Sequence, residues 1–526
     1  MKKTIIISAL FATIICSSCT KDLDQRPVTD SQADAGEVYS NADGYRSVLA
    51  KIYASFVICG QEKGGGNSDL SSNNGHDFLR GYFNLQEGPT EEMAGTWLSG
   101  DKIEGLTYMS WDANDPWVAD TYYRAYYSIA LANEFLSHTE NLDSFSDTDK
   151  SAIKAYAAEA RFLRALAYYY VLDLFGKGPF VDETMGIGSY VPECYSNKQL
   201  FDYIKGELDT ITADGLLDSP EYGRASKYAA YALLARLCLN AEVYDAGAHY
   251  SDCIEYCDKI VKAGYTLEND YAKLFSADNH KRTNEIIFAF VVDSQNTVSW
   301  GATTYIVCGE CGNSNEQNPA DYGLTGGWGM FRVRGELPAL FESGDGRSMF
   351  WTNGGAQPQY FTKGIDDQSE GYFGEKFSNL KDDGTYGDTG ADGADIDYPL
   401  FRLADVYLMI AESVLRGGSY GEYTSADAAL PCVNNVRERA YGNTSGNINV
   451  AQLNLQFILD ERGRELYWES VRRTDLIRFG KFTGGDYLWQ WKGGVLDGRA
   501  TDSKYNVYPI PAAELSANPN LKNENY

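Results

Sequence analysis

The sequence predicts a mainly α-helical protein, in which a helical-repeat scaffold is interrupted by two irregular, loop-rich insertions. The first observation lies in the stretch 151–176, where small or apolar residues recur in steps of three and four, the period of one helix face: Ile153, Ala157, Ala160, Leu163, Ala167, Tyr170 and Leu174. The second is a series of shorter amphipathic patterns at short intervals, which is typical of stacked helix pairs. The third is that Gly-rich, aromatic-rich stretches without a helical period separate these patterns.

The individual elements follow from local signals along the chain. Asn41 is placed to cap a helix that runs to Phe56. Gly176 and Pro179 end the central helix, and the apolar run 286–292 predicts a buried strand. Further helices are predicted at 117–138, 197–213, 226–239, 250–263, 401–415, 426–439 and 450–467.

These elements define one domain, preceded by a leader and a tether. We expect a signal peptide at 1–18, a polar tether at 19–40 and the domain at 41–526. Within the domain, the scaffold occupies 41–59, 117–285 and 399–526, and the insertions occupy 60–116 and 286–398. Loops displayed on a rigid frame are the usual place for function, so the insertions are where a binding site is expected.

The beginning of the chain has the features of an export signal. Lys2 and Lys3 precede an apolar stretch that is too short to span a bilayer. Small residues then lead directly to Cys19, as in a bacterial lipobox. We therefore expect lipidation of Cys19, and an ordinary signal peptide cleaved nearby is the alternative. A multiply acylated cysteine anchors stably, because each buried CH₂ contributes about 0.8 kcal/mol.

Composition narrows the possible partners. The formal net charge of −29 repels phosphate backbones and anionic lipid headgroups, which argues against nucleic acid as a partner. The chain also carries 39 Tyr and 9 Trp. Their amphipathic rings suit helix seams and also surfaces that hold sugar-like ligands.

Cysteine and histidine give no clear metal or disulfide pattern. Cys308 and Cys311 form a lone C-x-x-C motif, and Cys253 and Cys257 lie one helical turn apart. Zinc needs four ligands, and the four histidines, at 76, 138, 249 and 280, are scattered along the sequence. We therefore expect buried or locally paired thiols and no zinc.

Two catalytic patterns are weak. Residues 417–421 satisfy G-x-S-x-G, but a nucleophile elbow must follow a strand, whereas this one follows a predicted helix. Paired carboxylates for glycoside hydrolysis need a fixed separation of about 5–9 Å in a cleft, which the sequence does not reveal.

The Asp- and Gly-rich stretch 382–397 offers oxygen ligands for calcium, although the EF-hand spacing fails and a solvated turn is the favoured interpretation.

Several blocks resemble the SusD/RagB family of surface glycan-binding lipoproteins. They are AEARFLRALAYYYVLDLFGKGPF (158–180), PLFRLADVYLMIAESVLRGG (399–418), VNNVRERA (433–440), ILDERGRELYWESVRRTDLIRFGKF (458–482) and YPIPAAELSANPNLKNENY (508–526). They occur in the family's order across nearly the whole chain. The resemblance implies tetratricopeptide-like helix pairs and no enzymatic activity. It further implies an outer-membrane lipoprotein that faces the cell surface and delivers glycans to a TonB-dependent SusC-like transporter.

The resemblance also assigns candidate residues. Trp97, Trp300 and Trp328 match the segments with which a starch-binding member of the family stacks sugar rings. Arg80 matches an arginine that hydrogen-bonds sugar hydroxyls, and Asp101 is the candidate for a polar contact otherwise lost at Gly100. Core packing of the three tryptophans is the alternative. Some members bind calcium near the equivalents of Asp395 and Asp397.

The expected function is therefore capture of starch or malto-oligosaccharides at the cell surface. Axial C–H faces of glucose stack on aromatic rings, and a curved arc of rings would favour α-1,4-glucan over a flat β-glucan. The alternatives are the same fold binding another glycan or a peptide, a purely structural lid, and a surface glycosidase.

Overall fold

The predicted helices are present in a computed structural model of the chain, which describes residues 35–526 apart from 62–67, 71–75, 186–189, 219–220, 298, 313–316 and 388–392. In chain order the helices are α1 (Ala35–Val38), α2 (Ala42–Ala54), α3 (Phe78–Glu87), α4 (Glu104–Thr107), α5 (Pro116–Ser137), α6 (Asp147–Phe175), α7 (Asn197–Ala213), α8 (Lys227–Leu239), α9 (Tyr250–Val261), α10 (Ala302–Glu310), α11 (Leu403–Leu415), α12 (Ala426–Tyr441), α13 (Leu455–Leu466), α14 (Arg472–Arg478) and α15 (Ala512–Ala517). The strands are β1 (Ala94–Gly95), β2 (Gly178–Pro179), β3 (Cys194–Tyr195), β4 (Ile286–Phe290), β5 (Phe331–Arg332), β6 (Phe350–Trp351), β7 (Phe373–Gly374) and β8 (Tyr398–Arg402). The mainly α prediction is confirmed.

Helix α6 is the centre of the scaffold. Ser146 caps its first turn by accepting a hydrogen bond from the amide of Asp149. Gly176 ends it in the left-handed region, with φ of +70°, where a glycine is least strained. The helix packs against α2, α5 and α7, and its last 18 residues, 158–175, are all buried except Arg161. The predicted central helix is thus confirmed, with one additional turn at its start.

The remaining scaffold helices stack in chain order. Helix α7 packs on α8, α8 on α9, α9 on α11, and α11 on both α12 and α13. Contact between α9 and α11 means that the second insertion leaves the stack and returns to it. Strands β4 and β8, at the two ends of this insertion, pair antiparallel from Ile286↔Arg402 to Phe290↔Tyr398 and close its base.

Two further predicted helix starts shift by more than one residue, each for a local reason. The helix predicted from 401 begins at 403, because the preceding residues belong to β8 and pair with β4. The helix predicted from 450 begins at 455, because the Asn454 side chain accepts a hydrogen bond from the amide of Phe457 and caps it there.

The insertions are less irregular than the sequence suggests. The first contains α3, whose residues are all buried, and the second contains α10, which is also buried throughout. The two helices contact each other. They form a buried floor under the loops of both insertions, a feature that segments of only ten and nine residues do not signal.

The N-terminal predictions lie outside the described residues. The signal peptide, Cys19 and most of the tether precede residue 35. Among the described helices, none combines the length and apolar character needed to cross a bilayer.

Candidate functional site

The three candidate tryptophans lie in surface segments of the two insertions. Trp97 is 45% exposed and Trp300 is 42% exposed, which is unusual for indole rings. Trp328 is partly buried, and its ring centroid lies 6.1 Å from that of Trp300, with the two planes inclined at 37°. Two rings from separate segments therefore form one continuous aromatic surface, which we call the Trp300–Trp328 pair.

Trp97 is brought to the same region by a short ladder. Strand β1 pairs antiparallel with β5, with Gly95 opposite Phe331. Thr96 extends the ladder, because its amide donates to the carbonyl of Met330 at 2.8 Å and its hydroxyl donates to the carbonyl of Gly329 at 3.0 Å. The backbone of Trp97 therefore follows directly on a segment hydrogen-bonded to the chain just after Trp328.

Carbonyl groups at the end of α10 hold the Trp328 segment. The amide of Trp328 donates to the carbonyl of Cys308 at 2.7 Å, and the amide of Gly329 donates to that of Cys311 at 2.8 Å. The carbonyls of a helix C-terminus lack partners within the helix, so they are available for such bonds. Since α10 begins two residues after Trp300, one short helix positions both members of the pair.

Arg80 and Asp101 lie beneath the rings. Arg80 is 4% exposed and donates one terminal nitrogen to the carbonyl of Trp300 and the other to Oδ1 of Asp101, both at 2.6 Å. Asp101 in turn donates its amide to the carbonyl of Trp97 at 2.9 Å. The guanidinium also lies 4.1 Å from the ring centre of Tyr305. Burial raises the pKa of the Asp101 carboxyl, and the Arg80 charge opposes that change.

This placement differs from the expected one. The sequence-based prediction was that Arg80 and Asp101 bind sugar hydroxyls. In the structure both are buried and hydrogen-bonded to the backbone of two tryptophans, Arg80 to that of Trp300 and Asp101 to that of Trp97. Tyr82 and Trp111, two further aromatic residues of the first insertion, are each 2% exposed and belong to the core. The floor under the rings therefore holds the rings in place and is closed to solvent.

A second buried carboxylate fixes the Trp300 turn. Asp77 caps α3 and accepts hydrogen bonds from the Ser299 hydroxyl at 2.9 Å and the Ala302 amide at 3.2 Å. Ala302 has φ of +46°, a strained conformation for a residue with a side chain. Asp77 and Tyr305 were not among the residues predicted from the sequence, although an aspartate directly before a helical segment is a cap signal.

Gly301 is expected to be essential to this turn. A Cβ atom at this position would lie 1.6 Å from Oδ2 of Asp77, so Gly301→Ala must displace the turn or the carboxylate. We expect maltoheptaose affinity to fall about tenfold, equivalent to about 1.4 kcal/mol, when measured by calorimetry. Gly326→Ala is the control, because its Cβ meets no atom within 4 Å. Equal affinity of the two variants would contradict a role for the turn.

The Trp97 segment is tied to the scaffold by a buried arginine. The guanidinium of Arg334 donates to four carbonyl groups at 2.8–3.0 Å, those of Gly88, Met93, Thr107 and Gln490. Burial lowers the pKa of Arg334 to about 10. Because one planar group donates to four carbonyl groups, the loop on either side of β1 is held rigidly.

The calcium candidates are engaged by the protein. Asp397 is buried, with Oδ2 accepting from the Tyr222 hydroxyl at 2.6 Å and Oδ1 accepting from the Val292 amide at 2.9 Å. Asp395 accepts from the amide of Ser294 at 3.4 Å. Part of the stretch 382–397 lies outside the described residues. Asp397 thus acts as a bridge between the ends of the second insertion, and calcium there stays a prediction.

Asp397 is expected to make stability depend on pH. Burial raises its carboxyl pKa to about 6, above the ordinary value of about 3.9. The folded state therefore favours the protonated form, and this contribution is lost as pH rises through 6. Between pH 4 and pH 8 the wild type should lose about 2 kcal/mol relative to Asp397→Asn, as measured by urea unfolding. The control variant Asp202→Asn, at the surface, should show the same pH dependence of stability as the wild type. If the difference in unfolding free energy between the wild type and Asp397→Asn does not change with pH, the raised pKa is contradicted.

Comparisons with known proteins identify the class. A family model described as "SusD family" matches residues 352–526, and one described as "Starch-binding associating with outer membrane" matches residues 90–239. The starch-binding protein SusD of Bacteroides thetaiotaomicron is 33% identical, over 100% of this chain and 99% of its own. The chain therefore belongs to the SusD family.

Solved structures show the same fold at lower identity. Surface glycan-binding protein A from Bacteroides fluxus matches with a TM-score of 0.70 at 21% identity, covering 94% of this chain and 100% of that one. Its counterpart from Bacteroides thetaiotaomicron, in complex with laminarihexaose, matches with a TM-score of 0.69 at 19% identity, covering 92% and 99%. The predicted tetratricopeptide-like helical scaffold is confirmed.

Proposed function

We propose that this protein is a non-enzymatic surface receptor that binds starch or malto-oligosaccharides on Trp97, Trp300 and Trp328. The observation that carries the proposal is the Trp300–Trp328 pair, with one ring 42% exposed and the centroids 6.1 Å apart. An inclination of 37° between the planes suits consecutive residues of a curved glucan chain better than a flat ribbon. The full-length similarity to a starch-binding protein supports the same ligand class.

Binding to a single oligosaccharide should be weak. Each ring contributes about 0.5–1.5 kcal/mol beyond its buried area, and immobilising a flexible glycan removes much of that gain. We expect dissociation constants of about 10 µM to 1 mM. Repeated units on one polymer raise the effective affinity, since a second contact becomes intramolecular.

In the proposed role, the protein delivers glycan to a transporter. Lipidated Cys19 would tether it to the outer membrane facing the cell surface, and a TonB-dependent SusC-like transporter would take the glycan. The hypothesis gives the protein the position of a hinged lid over that transporter. The rigid floor formed by Arg80, Asp101 and Asp77 suits this role, because the rings keep their arrangement while the whole domain moves.

The geometry also bears on the glycosidase alternative. A glycosidase needs two carboxyl groups facing the sugar about 5–9 Å apart. Asp77 and Asp101, which lie under the rings, are buried and hydrogen-bonded to protein donors. We therefore expect no release of reducing sugar from amylopectin, and such release would establish the enzyme instead.

The alternative of another glycan has a specific observation in its favour, because a relative of the same fold is known in complex with laminarihexaose. Affinity electrophoresis in gels containing amylopectin, laminarin or xylan separates the possibilities. We expect retardation by amylopectin, and none for a variant carrying both Trp300→Ala and Trp328→Ala. Retardation only by laminarin or xylan would reject starch as the ligand but would support the role of a glycan receptor.

A further inference from the structure

Three side chains that the glycan site does not use converge in the helical scaffold. Cys238 is the next-to-last residue of α8, His249 directly precedes α9, and Asp252 lies in the first turn of α9. One ligand atom from each lies within 4.8 Å of the corresponding atoms of the other two. Among the residues that the structure describes, this is the one group of three or more His, Cys, Asp or Glu side chains whose ligand atoms lie this close together.

The fold, rather than the sequence, creates this cluster. Helices α8 and α9 pack against each other, so the chain turns back between them and places its residue 249 beside residue 238. Asp252 is held beside His249 by a contact of 2.6 Å between Oδ2 and Nδ1. The histidines are scattered along the sequence, and for that reason no zinc was expected from the sequence.

We propose that Cys238, His249 and Asp252 form a binding site for a divalent transition metal, with zinc as the ion that suits the donor set best. Thiolate, imidazole and carboxylate are the three ligand types that zinc takes in proteins. Ligand atoms in a tetrahedral zinc site lie about 3.3–3.8 Å apart, because the bonds are about 2.0–2.3 Å long. The present upper limit of 4.8 Å therefore requires a contraction of up to about 1.5 Å, and the 2.6 Å contact between His249 and Asp252 must lengthen if its two atoms are the ligands.

The side chains can make that adjustment. His249 and Asp252 are 29% and 43% exposed, so they move more freely than core residues, whereas Cys238 is fully buried and fixed. The exposed side also leaves room for water as a fourth ligand. Lys205, a cation whose charge acts on Cys238, is already paired with Asp209 at 2.7 Å and with the hydroxyl of Tyr256 at 3.1 Å.

The charges of the cluster balance with a dication. A cysteine binds a metal ion as the thiolate, so the Cys238 thiol must give up its proton when the ion binds. A bound dication takes the place of that proton, which leaves to solvent, and the thiolate and carboxylate together neutralise its two charges. The bound metal then links the end of α8 to the start of α9 and stabilises their packing.

Cobalt is the probe of choice, because a cobalt–thiolate bond gives a charge-transfer absorption that reports the sulfur ligand directly. The mature protein, reduced with a phosphine and dialysed against chelator, is titrated with Co²⁺ and then with Zn²⁺. We expect one equivalent of Co²⁺ to produce the absorption and Zn²⁺ to displace it. His249→Ala should weaken Co²⁺ binding at least tenfold, and Cys238→Ser should abolish the absorption.

A matched control is available elsewhere in the chain. His138 lies 3.2 Å from a carboxylate oxygen of Glu134, and the two are 36% and 44% exposed, so the pair copies His249 and Asp252 apart from the thiol. His138→Ala should leave Co²⁺ binding unchanged. An absorption that is absent from the wild type, or equally strong in His249→Ala, would overturn the proposal. If Cys238→Ser does not fold, the exposed His249→Ala variant alone decides the question.

Discussion

Replacing Trp300 or Trp328 with alanine is expected to abolish most of the affinity for maltoheptaose. Each substitution removes a ring face that is worth about 2 kcal/mol from stacking and buried apolar area together, which corresponds to about a thirtyfold loss of affinity. The two effects should be less than additive, because the rings adjoin each other at 6.1 Å and share one sugar chain. Trp300→Phe should lose less than Trp300→Ala, since a smaller ring face remains.

Trp97 should behave differently from the pair. Its ring comes from the other insertion, so it is expected to contact a different residue of the glycan. Trp97→Ala should therefore weaken maltoheptaose more than maltotriose, whereas Trp300→Ala should weaken both. Calorimetry with the two oligosaccharides measures the difference.

The control for these variants is an aromatic side chain of similar exposure in another segment. Tyr420 is 37% exposed and lies between α11 and α12. Tyr420→Ala should leave affinity unchanged, and thermal unfolding of all variants should remain near that of the wild type. Unchanged affinity in Trp97→Ala, Trp300→Ala and Trp328→Ala together would refute the proposed glycan surface.

The largest expected effect on stability comes from Arg402→Met. Arg402 is 1% exposed and binds three buried carboxylates: Nε lies 2.6 Å from Oε2 of Glu469, Nη1 lies 3.1 Å from Oε1 of Glu285, and Nη1 also contacts Glu465. Removing Arg402 leaves these buried carboxylates with one cation fewer, although Arg439 stays paired with Glu285 and Glu465 and Lys376 stays paired with Glu469. We therefore expect a cost of up to about 3–5 kcal/mol. Burial alone would raise the pKa of Glu465, but the guanidinium groups of Arg439, Arg402 and Arg347 hold it well below its usual range.

This network joins parts of the fold that are distant in sequence. Arg402 ends β8, whereas Glu465 belongs to α13 and Glu285 precedes β4. Loss of Arg402 is therefore expected to loosen the sheet that closes the second insertion, and so to weaken glycan binding as well as folding. Chemical unfolding measures the first effect, and calorimetry on the folded fraction measures the second.

Two further variants test the cause. Lys198→Met removes an exposed ion pair with Asp202, in which both side chains are more than half exposed, and should change stability by less than about 0.5 kcal/mol. Combining Arg402→Met with Glu465→Gln should cost less than the sum of the separate changes, because the pair interacts directly. Full additivity, or a loss in Arg402→Met no greater than in Lys198→Met, would show that the network contributes little.

The candidate site was predictable in part. The sequence pointed to the three tryptophans, and the structure leaves Trp97 and Trp300 exposed and places Trp328 beside Trp300. The sequence did not show that Arg80 and Asp101 are buried, because α3 is too short for its pattern to be recognised as a buried helix. An exposed arginine and one that donates to a carbonyl 220 residues away look the same in a sequence.

The sequence by itself determined the helical scaffold and those helix ends that are placed by local capping residues. Asn41, Ser146 and Gly176 act within one turn of their own helix, so the chemistry that places these boundaries is local. Only the tertiary structure decided which aromatic rings reach solvent, which carboxylates hold them from below, and that Cys238 meets His249. Those outcomes depend on contacts between segments far apart in the chain, and the free energy of such contacts comes from packing and desolvation that no local pattern records.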